Sequence, residues 1–559
     1  MSEQVPLVKR QWLAQLIVLT IAALLFSKNF ADPDFWGHVR YGQDLLEEGL
    51  PRAATYTYTA EGFRWINHEN LSEVVFAAAA NAGHVEWLLI FKSLCGAALV
   101  AGIIYRCRQQ GIAYGVANSI GILVALNLMH FWSLRPQLFS FIFFAIAIAL
   151  LDFGLGKGKS GNDRIAIWTI VPLMGLWTNT HGGFLAGLAV TVAYVVLQTV
   201  AQFPPVAKWL GTCCGSEIQT TTNEYPFRRL VAMRAGLVLA CVLITMLNPY
   251  GWRLHAWLIE SLGAARPEIV EWRPPQLLDV AWWQWWLLVG VTVPAIALSR
   301  RARDPVQLCI LILVLWQSIE HQRHIAFYAI LFGYWMPSHV ADIWRQLSRS
   351  KNSERDKKQI PQWVLQCTLA LALIVVSLQW WQQVKQVVVH RNRYPVSAFQ
   401  YMADQNLRGK LAVQFRWAQY SLAAFADHDI RVGFDGRFRT CYPQSVVDMY
   451  FDFAVGDAKD RHRKTTELLK PHRFLEHKTP NLLLVDRDQS HACKTIRRLQ
   501  MDWILLYQDS LAELWGRRNV YDDPANASFI PSANRKWDAA SQSGSVAWPG
   551  FPRFVRDDS

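Results

Sequence analysis

The stretch DPDFWGHVRYGQDLLEEG, residues 32–49, directly follows the first apolar run of the chain. It places two carboxylates, a histidine and an arginine beside a bilayer surface, where ionisable groups are costly to keep without a use. The spacing of Asp34, His38 and Tyr41 puts these side chains on one face of a helix. An apolar stripe able to lie along the membrane is formed by Phe35, Val39 and Leu46. The stretch therefore predicts an interfacial helix with a reactive polar edge.

The same residues have a second interpretation as an ordinary helix start. Asp32 before Pro33 is the arrangement in which the aspartate caps the helix and the proline takes the first helical position. A capping role and a chemical role are compatible, because a cap would hold Asp34 on an exposed first turn. The local sequence leaves both interpretations open.

Hydropathy divides the chain into a membrane part and a tail. Of 559 residues 52% are apolar and 26 are tryptophan, yet the mean hydropathy is only +0.11. Up to about residue 385 the chain repeats apolar runs of roughly 17 to 22 residues, the length that crosses a hydrocarbon core. Residues 1–385 are therefore predicted to form an all-α polytopic membrane domain, with a large first outer loop at 31–83. About eleven spans are predicted, at 11–30, 84–105, 113–131, 137–153, 165–180, 183–203, 231–247, 281–299, 305–319, 325–343 and 362–381.

The tail has a different pattern. In residues 386–520 short apolar bursts such as 481–485 alternate with helix-like stretches, which predicts a small α/β domain. Residues 521–559 are rich in Ser, Ala, Pro and Asn and are predicted to lack regular structure. Cys441 and Cys493 lie in the α/β region and could pair in an oxidising compartment.

The distribution of charge predicts the orientation. The formal charge of +13 comes mainly from short links between apolar runs, including Arg106, Arg300 and a basic run from Arg345 to Lys358. Such a bias is typical of cytoplasmic loops, so the charge does not indicate nucleic-acid binding. We expect a multi-pass protein of the inner, cytoplasmic membrane, with a cytoplasmic N-terminus and an extracytoplasmic C-terminal domain.

With this orientation the unusual polar residues gather on the outer side. Besides residues 32–49 they include His68, Glu69, Arg135, His181, Arg323 and His324. Their concentration on one side predicts an outward-facing site near the membrane surface. Each also has a structural interpretation. Arg135 can be a snorkelling anchor and His181 can belong to a tight turn. His324, together with His321, can be an ordinary hydrogen-bonded group.

The arrangement resembles the GT-C superfamily of integral-membrane glycosyltransferases. Its members have a first span, a large outer loop with a carboxylate at the start of a juxtamembrane helix, many further spans and a soluble outer domain. Asp32-Pro33-Asp34 is similar to the acid-x-Asp pair of the oligosaccharyltransferases. Arg40 and Gly49 follow Asp34 by six and fifteen residues, as in that family.

The match also departs from the oligosaccharyltransferase pattern. The proline lies between the two acids rather than after them, His38 stands where an Asn is usual, and the Trp-Trp-Asp acceptor motif is absent. Arg40-Tyr41 is similar, out of register, to an Arg-Tyr pair in the lipid A aminoarabinose and protein O-mannosyl transferases. The resemblance therefore indicates a bacterial branch of the superfamily rather than an oligosaccharyltransferase.

The resemblance implies transfer of a sugar from a polyprenyl-phosphate-linked donor to an acceptor on the extracytoplasmic face. Asp34 would act as general base, and Asp32, His68 and Glu69 are the other predicted catalytic residues, of which His68 or Glu69 could help to hold a metal ion. The donor phosphate would be bound by Arg40, Arg135, His181, Arg323 and His324. Mg²⁺ or Mn²⁺ could be held by Asp32 and Asp34, since these ions prefer oxygen ligands. The implied partners are membrane lipid, the lipid-linked donor and an acceptor that the sequence does not identify.

Two other classes of function stay open. A transporter or flippase of a lipid-linked or polar substrate would need polar residues deep in the spans and two related halves, and we find few such charges and no halves. A non-catalytic membrane assembly protein would bind a partner through its outer domain. The turn-rich stretch GFDGR, residues 433–437, could be a binding loop, a strand-end turn or a lid over the membrane site.

Overall fold

The computed structural model describes residues 4–155, 165–214, 227–262, 266, 268–277, 279–349, 361–456, 470–538 and 541–554. Part of the predicted basic run that ends at Lys358 lies outside these ranges. The described chain is mostly helical and forms two compact units. Unit 1 comprises Met1–Lys28, Trp87–His255 and Ile269–Lys385, and unit 2 comprises Asn29–Glu86, Ala256–Glu268 and Gln386–Ser559.

The helices of the described residues are numbered in chain order. They are α1 (Gln4–Leu25), α2 (Phe35–Glu47), α3 (Asn70–Asn81), α4 (Glu86–Gln109), α5 (Tyr114–Leu128), α6 (Gln137–Leu155), α7 (Ile170–Thr178), α8 (Phe184–Ala201), α9 (Pro204–Cys214), α10 (Phe227–Ile244), α11 (Trp252–Leu262), α12 (Trp283–Leu298), α13 (Pro305–Glu320), α14 (Ile325–Trp335), α15 (Pro337–Arg349), α16 (Gln362–Val384), α17 (Val396–Asp404), α18 (Phe415–Ala424), α19 (Gln444–Ala454), α20 (Arg473–Glu476), α21 (Ser490–Arg497) and α22 (Arg518–Tyr521).

Several of these helices have the length and composition of membrane spans. Five are long and apolar enough to cross a bilayer, at Glu86–Gln109, Gln137–Leu155, Phe184–Ala201, Val280–Leu298 and Gln362–Val384. Shorter apolar helices lie at Gln11–Leu25, Tyr114–Leu128, Ile167–Thr178 and Pro305–Glu320. The helical, multi-pass character predicted from the sequence is therefore present, while the predicted number of eleven spans is not confirmed.

The predicted span at 325–343 is wrong in its extent. It consists of two helices, because α14 ends at Trp335 and α15 begins at Pro337. Proline is favoured at the start of a helix and cannot continue the preceding one. All residues of α14 are buried, so α14 is a core helix of unit 1. The amphipathic α15 leaves the large side chains of Trp344 and Leu347 exposed.

A buried carboxylate joins four helices of unit 1. Asp152 of α6 has a 3% exposed side chain and accepts a 2.6 Å contact from Arg106 of α4. The indole N–H of Trp335 on α14 donates to it at 3.1 Å and the hydroxyl of Tyr194 on α8 donates at 3.3 Å. Three donors therefore compensate a charge that would otherwise be costly to bury.

We expect Arg106→Met to destabilise the protein by about 3–5 kcal/mol, because it leaves the Asp152 charge buried without its counter-ion. The double variant Arg106→Met/Asp152→Asn removes that charge and is expected to regain a large part of the loss. Thermal unfolding of the detergent-solubilised protein measures both. Equal loss in the single and the double variant would contradict this role of Asp152.

Unit 2 contains the sheet of the C-terminal part. Its strands are β1 (Val388–His390), β2 (Gly409–Val413), β3 (Ile430–Val432), β4 (Leu482–Asp486), β5 (Trp503–Gln508), β6 (Ala512–Arg517), β7 (Lys536–Trp537) and β8 (Ser545–Ala547). Six of them form one sheet in the order β3-β2-β4-β6-β5-β7, in which β2 is parallel to β3 and β4. Because β6 is antiparallel to both neighbours, the sheet is mixed. The predicted α/β character of this region is therefore present.

The first outer loop belongs to the same compact unit as this sheet. Val388 of β1 donates to the Asn29 carbonyl at 2.8 Å, and Ala31 donates to the Val388 carbonyl at 2.8 Å. Further along the loop, Tyr58 donates to the Val432 carbonyl at 3.2 Å, beside the edge strand β3. The loop predicted at 31–83 thus extends the C-terminal sheet at its edge.

Two details of the tail differ from expectation. Residues 521–559, predicted to be irregular, contain the short strands β7 and β8, which pair with β5 and β1. Cys441 and Cys493 are both buried free thiols, so the predicted pairing does not occur. Burial raises the pKa of both thiols, to about 11 for Cys493, which makes them unreactive.

Candidate active site

The organising stretch forms the start of α2, with Asp34 at its edge. The prediction that Asp32 caps the helix and Pro33 begins it is wrong, because Asp34 is the N-cap. Asp32 Oδ1 instead accepts the backbone N–H of Asp34 at 3.1 Å, which stabilises the turn before the helix. The side chain of Asp34 makes no capping hydrogen bond and is half-buried. The Asp34 side chain therefore does not cap α2.

Small residues allow α2 to pack closely against α3 and α18. A Cβ on Gly42 would collide with the backbone carbonyl of Glu73 in α3, and a Cβ on Gly37 would collide with the side chain of Gln419 in α18. Phe35 is fully buried, and Val39 is only 4% exposed. The predicted membrane-facing stripe is therefore wrong for two of its three residues, since they lie in the core of unit 2.

A histidine and two carboxylates converge beneath Asp34. His38 Nδ1 lies 3.1 Å from Glu73 Oε1, and Asn67 Nδ2 donates to Glu73 Oε2 at 2.5 Å. His38, Glu69 and Glu73 each have a ligand atom within 4.8 Å of the other two. Sequence reasoning selected Glu69 but missed His38 and Glu73 as site residues. The spacing of Glu69 and Glu73, one helical turn apart, was the signal for this pair.

The electrostatics of this cluster act on His38. Burial alone would lower the pKa of His38, but its hydrogen bond with Glu73 and the charges of Glu69, Glu73 and Asp34 raise it above the usual value. The neighbouring acids thus favour the protonated form of the imidazole. Asp34 thus belongs to the same electrostatic group as the buried cluster.

The GFDGR stretch forms a loop directly after β3. Arg437 Nε and Nη2 donate to the two carboxylate oxygens of Asp435 at 3.0 and 2.7 Å, and both side chains are buried. The hydroxyl of Tyr442 donates to Asp435 at 2.6 Å. The Arg437 guanidinium also stacks over Tyr41 of α2 and over Trp65, at 4.9 and 4.8 Å from the ring centres. The loop is therefore a strand-end turn that is tied to α2.

Gly436 of this loop brings the backbone next to Asp34. A Cβ on Gly436 would lie 2.5 Å from Asp34 Oδ1 and would collide with the side-chain amide of Gln419. Only glycine leaves room for both side chains, so Gly436 allows the Asp34 carboxylate and the Gln419 amide to lie against the loop. Sequence reasoning missed both residues. The two glycines that flank Phe434-Asp435 were the available signal, because repeated glycine often marks a close backbone approach.

The other predicted residues of unit 2 have ordinary partners. Arg40 contacts Asp44 at 3.0 Å and Asp427 at 3.5 Å, and it donates to the Tyr56 hydroxyl at 2.7 Å. His68 packs against Trp257 with ring centres 5.4 Å apart. Its Nε2 lies 4.0 Å from Glu69. Arg40 is thus held by two carboxylates, which reduces its positive field toward a phosphate.

The predicted residues of unit 1 form their own contacts. Arg135 pairs with Glu271 at 3.1 Å. His181 Nδ1 accepts the Gly183 N–H at 3.0 Å and lies 2.7 Å from the Ser140 hydroxyl. The Arg323 guanidinium stacks over Trp272 at 4.5 Å, and His324 Nδ1 lies 3.3 Å from the Gln317 carbonyl. Arg135 and Arg323 thus contact Glu271 and Trp272, which are consecutive residues of the short helical turn Val270–Trp272.

No family model matches the chain, and no curated protein sequence matches it. The fold is similar to ArnT from Cupriavidus metallidurans bound to undecaprenyl phosphate, with a TM-score of 0.46, 12% identity, and coverage of 94% of this chain and 99% of ArnT. It is also similar to the arabinofuranosyltransferase AftD from Mycobacteria, with a TM-score of 0.42, 12% identity, and coverage of 91% of this chain and 40% of AftD.

At 12% identity these similarities concern the fold alone and identify neither a family, a substrate nor a catalytic residue. The resemblance to the GT-C superfamily therefore stays a prediction from the sequence.

The raised pKa of His38 predicts a pH dependence of stability. A histidine whose pKa is raised by folding stabilises the folded state. This contribution is complete when the pH is below the ordinary pKa of 6.5, and it is lost as the pH rises through the raised pKa. We expect the difference in melting temperature between the wild type and His38→Gln to shrink as the pH rises from 6 toward alkaline values. Since hydrogen bonds to charged groups contribute about 1.5–3 kcal/mol, the change is measurable by thermal unfolding. A difference that grows with pH would contradict the assignment.

Proposed function

We propose that the protein is a membrane glycosyltransferase that uses a lipid-phosphate-linked sugar as donor. The observation that carries this proposal is the placement of Asp34. Asp34 lies nine residues beyond the end of the first apolar helix, its side chain does not cap α2, and its carboxylate lies against the backbone of Gly436. A half-buried carboxylate in this position is a group that can act as general base on a lipid-anchored substrate.

In the proposed reaction the Asp34 carboxylate takes a proton from an acceptor hydroxyl or amide. The acceptor atom forms a bond to the anomeric carbon while the bond from that carbon to the lipid phosphate breaks. The electron pair leaves with the phosphate oxygen, and the configuration at the anomeric carbon inverts. A positioned general base of this kind typically contributes a factor of about 10²–10⁴ to the rate.

The leaving phosphate needs positive charge. Arg40 is the least suited of the predicted groups, since Asp44 and Asp427 already neutralise it. Arg135, Arg323, His181 and His324 remain proposed phosphate ligands, and each lies at a polar end of an apolar helix. Charge-assisted hydrogen bonds from such groups would favour departure of the lipid phosphate.

A divalent cation is a further proposal. Asp32 and Asp34 remain the pair suggested by the family resemblance. His38, Glu69 and Glu73 are the group whose atoms lie close enough to share an ion. One imidazole and two carboxylates suit Mn²⁺ better than Mg²⁺, which prefers oxygen ligands alone. If bound there, the cation would supply positive charge for the phosphate, while Asn67 would keep Glu73 oriented through its amide.

Asp34→Asn tests the general base. We expect sugar transfer from polyprenyl-phosphate sugars to fall by about 10²–10⁴, because the amide cannot accept the proton. Asp404→Asn removes an exposed carboxylate of the same unit and is the control that keeps its activity. Transfer is measured with a panel of labelled lipid-linked sugars and membrane extracts as acceptor source. An Asp34→Asn variant with the wild-type rate would refute the assignment.

Gly436→Ala tests the positioning of that carboxylate. The added methyl group must displace Asp34 or Gln419, so we expect transfer to fall by at least about tenfold with a smaller change in the apparent affinity for the donor. Gly236→Ala in α10 is the matched control, because its Cβ would meet no atom nearer than 3.8 Å. An unaltered rate in Gly436→Ala would contradict the role of the loop.

The proposed orientation places the C-terminal part outside the cytoplasm. Met501 is 87% exposed, so a cysteine at this position would be open to reagents. We expect Met501→Cys to react with a membrane-impermeant thiol reagent in intact spheroplasts, whereas Ala302→Cys, in a predicted cytoplasmic link, reacts only after lysis. The reverse pattern would overturn the orientation.

A further inference from the structure

An apolar groove runs along one side of unit 1. A cavity of about 460 Å³ is lined by α5, α12, α14 and α15, including Val116, Ile120, Leu123, Val291, Pro294 and Trp344. A second cavity of about 430 Å³ shares Ser119, Leu123 and Val291 with it and continues along α5 to Leu126. The two are thus one groove. From Ala113 to Leu126 it follows α5 for about 20 Å at 1.5 Å per residue.

Two glycines show that the groove has unoccupied space along its wall. Gly115 of α5 and Gly290 of α12 both line the groove, and a Cβ on either would meet no atom within 4 Å. Neither glycine has a positive φ, so neither is required by the backbone. A length of about 20 Å exceeds one leaflet of a hydrocarbon core, which is about 15 Å thick. The groove therefore has room for the hydrocarbon chain of one lipid.

One end of the groove is rich in arginine. Arg300 and Arg301 follow the end of α12, and Arg345 lies beside the groove residue Trp344 on α15. Asp342 of α15 accepts the Arg300 backbone N–H at 2.8 Å, which joins this link to α15. Arg108 stacks over Tyr114, the first residue of α5, with 3.7 Å to the ring centre. Basic side chains therefore outnumber the carboxylates of Asp304 and Asp342 at this end of the described chain.

The helix that covers this end has the composition of an interfacial helix. The apolar residues Val340, Ile343, Trp344 and Leu347 recur along α15 at helical spacing. Trp344 is 60% exposed and Leu347 is 61% exposed. Tryptophan and arginine next to an apolar surface are typical of the level of lipid headgroups. The arginine end is therefore where a headgroup would lie.

We propose that this groove binds one membrane phospholipid with an anionic headgroup. One hydrocarbon chain occupies the groove between α5 and α12, and the phosphate lies at Arg300, Arg301 and Arg345. The apolar lining contacts the hydrocarbon chain of the lipid, and the excess of arginine favours a negatively charged headgroup. The site is independent of Asp34 and of the proposed sugar transfer, since every residue that carries it belongs to unit 1.

Native mass spectrometry of the full-length protein tests the site. The detergent-solubilised chain is exposed to equal amounts of phosphatidylglycerol and phosphatidylcholine. We expect retention of one phosphatidylglycerol per chain in clear preference to phosphatidylcholine. Gly290→Leu fills the groove and is expected to lower retention at least about tenfold, whereas Gly290→Ala, which fills little of it, retains the lipid as the wild type does. Gly115→Leu provides a second groove-filling variant if Gly290→Leu folds poorly.

The headgroup contacts are tested separately. Replacing Arg300, Arg301 and Arg345 by Gln is expected to reduce the preference for phosphatidylglycerol by about fivefold for each arginine that contacts the phosphate. The control replaces Lys208 and Arg228, exposed basic residues of α9 and α10, by Gln. Equal retention of the two lipids by the wild type would overturn the proposal. So would undiminished retention by both leucine variants, or retention of a polyprenyl phosphate in place of the phospholipid.

Discussion

The buried ion pair between Asp435 and Arg437 is the interaction on which unit 2 depends. Taking two charges out of water costs more than their attraction returns unless every remaining polar atom is satisfied. Tyr442 donates to Asp435, and Arg437 also donates to the Thr55 carbonyl at 2.6 Å. Although burial would lower the pKa of Arg437, Asp435 raises it well above its usual value, so the guanidinium stays charged. The pair fixes the loop after β3, and that loop places Gly436 beside Asp34.

Much of the architecture could be predicted from the sequence because it depends on local pattern. Apolar runs give the helices of unit 1, and alternating apolar bursts give the strands of unit 2. The break at Pro337 was missed because the residues on both sides are apolar, and hydropathy alone does not distinguish a bent path from a straight span. The start of α2 was misplaced by two residues because Asp32 and Asp34 are both good N-caps, and the choice depends on the turn that Asp32 makes.

The candidate site could be predicted only in part, for a different reason. Asp34, Glu69 and Arg40 lie in one loop, where spacing along the chain carries information. His38 was visible in the same helix, but its role depends on Glu73 in α3, which local spacing does not reveal. Gln419 and Gly436 are 385 and 402 residues from Asp34 in the chain, so no local pattern joins them to it. The GFDGR stretch was recognised as a turn, but the reason for its second glycine is the carboxylate that lies against it.

Unit 2 is formed by segments that lie far apart in the chain, so it cannot complete its fold until the last of them has been synthesised. The segment Asn29–Glu86 is made early, whereas the sheet that completes its fold begins after Gln386. At about 5–20 residues per second, the roughly 300 intervening residues take about 15–60 s to synthesise. During this interval α2 and α3 can pack on each other, but Trp548, which packs on Phe35, and Gln419, which lies against Gly37, have not yet been made. Unit 2 therefore stays incomplete for this time, and its exposed apolar surface would be a binding site for a chaperone.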